Sequence, residues 1–254
     1  MLILSGADAT PTATLGTPGS VVHVCVRVPA SDRSATSGAV RILLVADLTR
    51  RVLEDLHRAQ VMLTVLASGP GSPVVSGDLD AWMIRPPAGV FDTEDAAAAS
   101  VGTRVGLLVT AAENETAAEY ALGVGAAAGS GPLDEPIRAG HDPVTLRCVL
   151  LSTHYRQPVP LTIPRIADAA RLLLRWRQRV ADWSTHSSAP MPAHIIDAAS
   201  RAFDRNLDVP AVLELMRHVE SDAATAPGAK FETFVHLDRV LGFDLTRYLG
   251  TPHS

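Results

Sequence analysis

The residues of this chain that could do covalent or metal chemistry are few. Two cysteines, Cys25 and Cys148, are too few for a disulfide framework, so a reducing, cytoplasmic setting is expected. Lysine occurs once, at Lys230, so a mechanism that needs an ammonium must use that residue or do without. The nine histidines are scattered and carry no local signature of a nucleophilic triad. Cys25 lies in the alternating, β-branched run VVHVCVRV (21–28), where it reads first as a small core residue, with metal or thiol chemistry as the alternative. Glu113 and Glu115 stand near an expected helix start, where carboxylates suit the helix dipole. The stretch GVGAAAGSG (123–131) lacks the Lys-Ser/Thr of a phosphate loop and does not match G-x-G-x-x-G, so it reads as a flexible connection. His154, Tyr155 and Arg156 read as an interdomain contact.

The elements that would position these groups can be read from periodicity. Val21–Val28 is a buried strand, and Ala39–Leu56 a long helix whose first half, ILLVA, is apolar enough to pack on a sheet. Gln60–Ser68 is a second strand, so this β–α–β order predicts parallel pairing. Further along, the pattern predicts a short strand over Asp80–Arg85 and a helix after a cap at Asp92 or Thr93. It then predicts a strand over Arg104–Thr110, a helix over Glu113–Leu122 and a helix over Pro143–Ser152. From Thr162 onward every periodic segment is helical. Ile166, Ala170, Leu173, Trp176, Val180 and Trp183 form one inward stripe, and Ile196, Ala199 and Phe203 another. Asp208 caps a third helix with Pro210 in its first turn, and Gly242 closes a fourth. The expected fold is therefore α/β: a truncated Rossmann-like domain over residues 1–145, followed by a helical bundle over 146–254.

Charge narrows the partners. The formal net charge is −5, split as −6 over residues 1–150 and +1 over 151–254. Neither half has the cationic surplus with which proteins displace counterions from nucleic acid, which argues against tRNA. One local stripe, Arg171, Arg175, Arg177 and Arg179, reads as a solvated helix face with a packing back. Apolar runs such as Ile42–Ala46 are too short to span a bilayer, and Met1–Leu4 lacks the basic start of a signal peptide.

Several segments in register carry a family resemblance. HDPVTLRCVLLSTHYR (141–156) resembles the junction between catalytic core and helical domain of cysteinyl-tRNA synthetases and of their relative, the cysteine ligase of mycothiol biosynthesis. RLLLRWRQRV (171–180) resembles that ligase's next helix, and FDRNLDVPAVLEL (203–215) the family's "DDLNTPxAL" segment. AENE (112–115) resembles the "HHENE" of the family, and VCVRVP (24–29) followed by ADLTRRVLEDL (46–56) its first strand and helix. The resemblance runs through nearly the whole chain and ends without an anticodon-reading domain. It implies a class I synthetase-type fold, ATP-dependent activation of cysteine and a zinc that selects the thiol.

The departures from the family bear on function. The HIGH-type motif, whose histidines contact ATP phosphates, aligns with Thr36-Ser37-Gly38-Ala39, where only the glycine survives. The lysine loop aligns within 122–130, which has no lysine. Of the four zinc ligands, Cys25 and Glu115 match, Ala111 replaces the histidine, and a stretch between Val90 and Val101 that would carry the second cysteine is lost. The resemblance therefore leaves a remnant ligand pocket of Cys25, Arg33, Thr36, Ser37, Gly38 and Glu115, with no catalytic residue, bound metal or cofactor expected. Three readings follow. One is an inactive family member acting as a binding, regulatory or structural subunit, with a protein partner or a second copy. Another is a remodelled ligase or transferase that takes an activated small-molecule substrate in the old pocket. The third is a tRNA-binding accessory, which the acidic first half disfavours.

Overall fold

The computed structural model describes residues 1–5, 11–28, 37–67, 79–112, 120–128 and 141–250. Strands β1 (Leu2–Ser5) and β2 (Pro11–Leu15) form an antiparallel pair at the start. The organising strand is β3 (Val21–Arg27), whose alternation places Val22, Val24 and Val26 on one face and His23, Cys25 and Arg27 on the other. It leads to α1 (Ser37–Arg51), which widens into a π-type turn over Val52–Leu56. β4 (Gln60–Leu66) follows and lies parallel to β3 in register Val21 with Gln60, as the β–α–β order predicts.

Residues Asp80–Trp82 form a 3-10 turn, not the expected strand. The reason is local: Met83 takes a left-handed backbone (φ 55°), and the Trp82 and Met83 amides bond back to Leu79 and Asp80, closing the chain on itself. Next come β5 (Gly89–Phe91), α2 (Glu94–Val101), β6 (Leu107–Ala111), β7 (Ala121–Val124) and β8 (Ala127–Ala128). The Thr93 hydroxyl caps α2 by accepting from the Ala96 amide, and Gly102 ends it at φ 74°. Of the expected helix over Glu113–Leu122, residues 113–119 lie outside the described residues, and Ala121 and Leu122 belong to a strand.

The main sheet has the order β5-β4-β3-β6-β7, with every pair parallel. In chain order that is 3-2-1-4-5, the arrangement of a Rossmann-like half. The valine face packs on α1, and the Cys25 face is covered by α2.

The remaining elements are helical apart from β9 (Val159–Pro160), which pairs with β8. They are α3 (Pro143–Leu151), α4 (Ile163–Trp183), α5 (Ala193–Asp204), α6 (Val209–Ser221) and α7 (Pro227–Leu241). Asp142 caps α3, Asp208 caps α6 with Pro210 in its first turn, and Gly242 ends α7 at φ 65°. On α4 the buried stripe is Ile166, Ala169, Leu173, Trp176, Val180 and Trp183, so Ala169 takes the place expected for Ala170. On α5 it is Ile195, not Ile196, that turns inward with Ala199 and Phe203. Phe234 of α7 meets Trp176 and Trp183 edge-on at 5.5 and 5.1 Å. Helix α1 lies between the sheet and α3 and α7, and 13 of its 15 residues are buried. That position explains why the run ILLVA (42–46) offers no polar side to solvent. Among the described residues no helix is long and apolar enough to cross a membrane.

Candidate functional site

In a sheet of this order the strand sequence reverses between β3 and β6, and ligands of such folds bind outside the carboxyl ends of those strands. Arg27 ends β3, Ala111 ends β6, and α1 begins nearby with Ser37 buried and Gly38 half-buried in its first turn. The segments leaving β3 and β6, with Arg33, Thr36 and Glu115, lie outside the described residues.

Cys25 does not face this crevice. It lies fully buried with Leu66, Ala97 and Leu108 under α2, while α1 covers the opposite face of the sheet. The structure therefore does not bring Cys25 together with Ser37 and Gly38. Burial pushes the thiol pKa up, against a smaller lowering by the Thr64 hydroxyl, so the group stays protonated at neutral pH. Beside it, Arg27 forms an ion pair with Glu94 of α2. His23, on the same face, places Nδ1 3.2 Å from the Thr103 carbonyl and Nε2 2.8 Å from the Thr64 hydroxyl. A carbonyl only accepts, so Nδ1 carries a proton and donates to Thr103.

The second constellation is the junction. Arg41 of α1 is fully buried, and among the described residues its guanidinium bonds to no carboxylate. It donates to six carbonyls: Leu150, Thr153 and His154 at and beyond the end of α3, Gly125 and Ala126 after β7, and Gln157. The Leu150 carbonyl is one that the end of α3 leaves without a helical partner, so Arg41 caps it there. Burial lowers its pKa to about 10, which leaves it charged at neutral pH. Around this anchor His154 stacks on Tyr155 at 4.6 Å, and the Arg156 guanidinium lies 5.5 Å from the Tyr155 ring centre. Burial lowers the His154 pKa, only partly offset by the Asp208 carboxylate.

The glycine-rich run is not a loose connection in its described part. Gly123 and Val124 belong to β7, the Gly125 amide donates to the Tyr155 carbonyl at 2.7 Å, and Ala127 and Ala128 pair with β9. A Cβ at Gly125 would lie 2.7 Å from the Arg156 carbonyl oxygen, so the close approach of the junction backbone requires glycine there.

With this geometry in place, comparison with known proteins gives one consistent answer. No family model matches the chain. A curated L-cysteine:1D-myo-inositol 2-amino-2-deoxy-alpha-D-glucopyranoside ligase from Xylanimonas cellulosilytica is 32% identical over 109 residues, which is 43% of this chain and 26% of the relative. Its counterpart from Thermobispora bispora is 32% identical over 95 residues, 36% of this chain and 23% of the relative. The likeness is to cysteine ligases. The matches span about a quarter of the length of these relatives and support the resemblance to the cysteine ligase and synthetase family.

The zinc that this family implies does not fit the described donors. Cys25 is the one family ligand among them; the apolar side chains packed on it, Leu66, Ala97 and Leu108, carry no donor atom, and the nearby Glu94 carboxylate is taken by Arg27. Among the described residues no three His, Cys, Asp or Glu side chains gather as a metal site.

Sequence reasoning missed two arrangements. One is the Arg41 cage. The other is a buried ionic cluster in which Asp47 of α1 accepts from Arg51 at 2.8 Å, from Arg147 of α3 at 2.7 Å and from the Arg85 amide at 3.0 Å. The available signal was the presence of Arg41, Asp47 and Arg147 inside otherwise apolar helical stretches, which demands partners. The arginine stripe of α4 also needs correction: Arg177 is buried and donates to the Phe243 and Asp244 carbonyls, so it is not part of a solvated face.

Proposed function

We propose that this chain is a catalytically inactive, cytoplasmic relative of the ATP-dependent cysteine ligases, working by binding as a regulatory or structural partner of another protein or of a second copy. The observation that carries this reading is how the cations are used. Adenylation needs positive charge and donors around the triphosphate as charge builds on pyrophosphate, and each such donor is worth about 3–4 kcal/mol in the transition state. Arg27 at the end of β3 is engaged by Glu94, and Arg41 in α1 is enclosed by carbonyls. Lys230, the one lysine, donates to the Glu220 carbonyl at 2.9 Å and lies over the Trp183 ring, inside the helical half. By the resemblance, Thr36 and Ala39 stand where the family has its two phosphate-contacting histidines, and residues 122–130 hold no lysine.

Isothermal titration with Mg-ATP, followed by ATP–pyrophosphate exchange with cysteine and with other amino acids, tests the reading. The expected outcome is weak or absent ATP binding and no exchange. Exchange above a heat-killed control that disappears in Arg33→Ala would overturn it and establish a remodelled ligase in its place.

A further inference from the structure

Away from the strand ends, helices α3, α4 and α6 enclose a cleft of about 360 Å³, within the size range of small-molecule pockets. Its walls carry Arg165, Arg171 and Arg175 from one face of α4 and Arg217 from α6, against a single lining carboxylate, Asp168. Its floor is apolar, formed by Leu172, Leu213 and Cys148. Burial pushes the Cys148 pKa up to about 12, so the floor carries no thiolate charge. Four guanidinium groups thus converge in a molecule whose net charge is −5.

We propose that this cleft binds a small phosphorylated ligand, with its phosphate oxygens held by Arg165, Arg171, Arg175 and Arg217 and its organic part resting on the Leu172–Leu213 floor. The site does not depend on whether the nucleotide-type half is catalytically active. Guanidinium forks match phosphate oxygens in pairs, which single ammonium charges do not. The present partners of Arg171 and Arg217 are exchangeable, whereas Arg175 is held in two bonds by Glu220 and meets a ligand with its remaining N–H groups. Arg171 pairs with Asp168 where both side chains are about 70% exposed, and Arg217 pairs with Glu214, itself 74% exposed. Exposed pairs of this kind hold weakly, so an incoming dianion displaces them at little cost. Arg165 touches the Thr153 hydroxyl at 3.4 Å and has no carboxylate partner among the described residues. A small ligand is favoured over a nucleic-acid backbone because Glu214 and Glu220 stand beside these arginines and repel an extended polyanion.

The test is titration of the full chain with inorganic pyrophosphate at low salt, beside the Arg165→Gln/Arg217→Gln variant and its Arg165→Lys/Arg217→Lys counterpart. Both positions are partly exposed, and matching thermal unfolding of the three proteins checks the fold. Saturable binding is expected, weakened about tenfold or more in the Gln variant and by less in the Lys variant. No saturable binding, or affinity unchanged in the Gln variant, overturns the proposal. So does tighter binding of a short RNA duplex than of pyrophosphate, with a steep salt dependence, which would assign the cleft to a nucleic-acid backbone.

Discussion

Arg41 shows how one side chain can organise a boundary. Among the described residues Arg41 has no carboxylate partner, a costly burial unless its donors are saturated, and here the Leu150 carbonyl at the end of α3 and the Thr153 and His154 carbonyls after it supply compensating negative potential. Lysine at this position would keep the charge but offer three donors from one nitrogen where the guanidinium offers five, at least one of them shared, to six carbonyls. Arg41→Lys is therefore expected to destabilise the protein by about 2–4 kcal/mol, measured by urea unfolding. A loss below about 1 kcal/mol would mean that water replaces the missing bonds.

At the scale of elements, α2 decides what Cys25 can do. This eight-residue helix is rich in alanine and buries only Ala97, so its hold on the sheet is modest and its cap matters. Removing the Thr93 hydroxyl, in Thr93→Ala, frees the Ala96 amide and costs about 1 kcal/mol. If α2 opens as a local unit, that cost raises the open population about fivefold. The alkylation rate of Cys25 should rise in proportion, while that of Cys148, buried on α3, stays at the wild-type value. Equal changes at both cysteines would show that the thiols report global unfolding instead.

At the scale of the molecule, the Asp47 cluster joins α1, α3, the turn at Met83 and the end of α7. Arg147 donates to Asp47 and to the Leu241, Trp82 and Met83 carbonyls, and Arg51 donates to the Arg239 carbonyl. Burial alone would raise the Asp47 pKa, but Arg147, Arg51 and the Arg85 amide outweigh it and hold the carboxyl below its ordinary range. The sign of the linkage follows. The unfolded chain takes up a proton near pH 4, before the folded one does. The stabilisation is thus complete above that pH and is lost as pH falls through the folded pKa. Asp47→Asn is expected to cost about 3–5 kcal/mol at neutral pH, because it leaves buried guanidinium charge uncompensated. It should also flatten the acid limb of a plot of urea midpoint against pH. Parallel limbs in the variant and the wild type would remove Asp47 as the source of that dependence.

The sequence by itself determined the parallel β–α–β start, the later helices and the caps at Asp208 and Gly242, and it narrowed the cap of α2 to Asp92 or Thr93. Hydrophobic period and cap chemistry act over three or four residues and need no distant partner. Pairing of short strands is different. β7, β8 and β9 have four residues or fewer, and β8 exists because β9, some thirty residues later, supplies its bonds, so the described part (123–128) of a glycine-rich run read as flexible is paired backbone. The site was legible in the same uneven way. Types and order of residues carried the likeness to cysteine ligases, which the partial matches support. Only the tertiary structure decided that Cys25 faces α2 and not the strand-end crevice, because alternation names two faces without saying which element covers each. It also decided that arginines from three regions of the chain end in carbonyl cages, a buried ion cluster and an open cleft, since a charged side chain's role is set by partners far away in sequence.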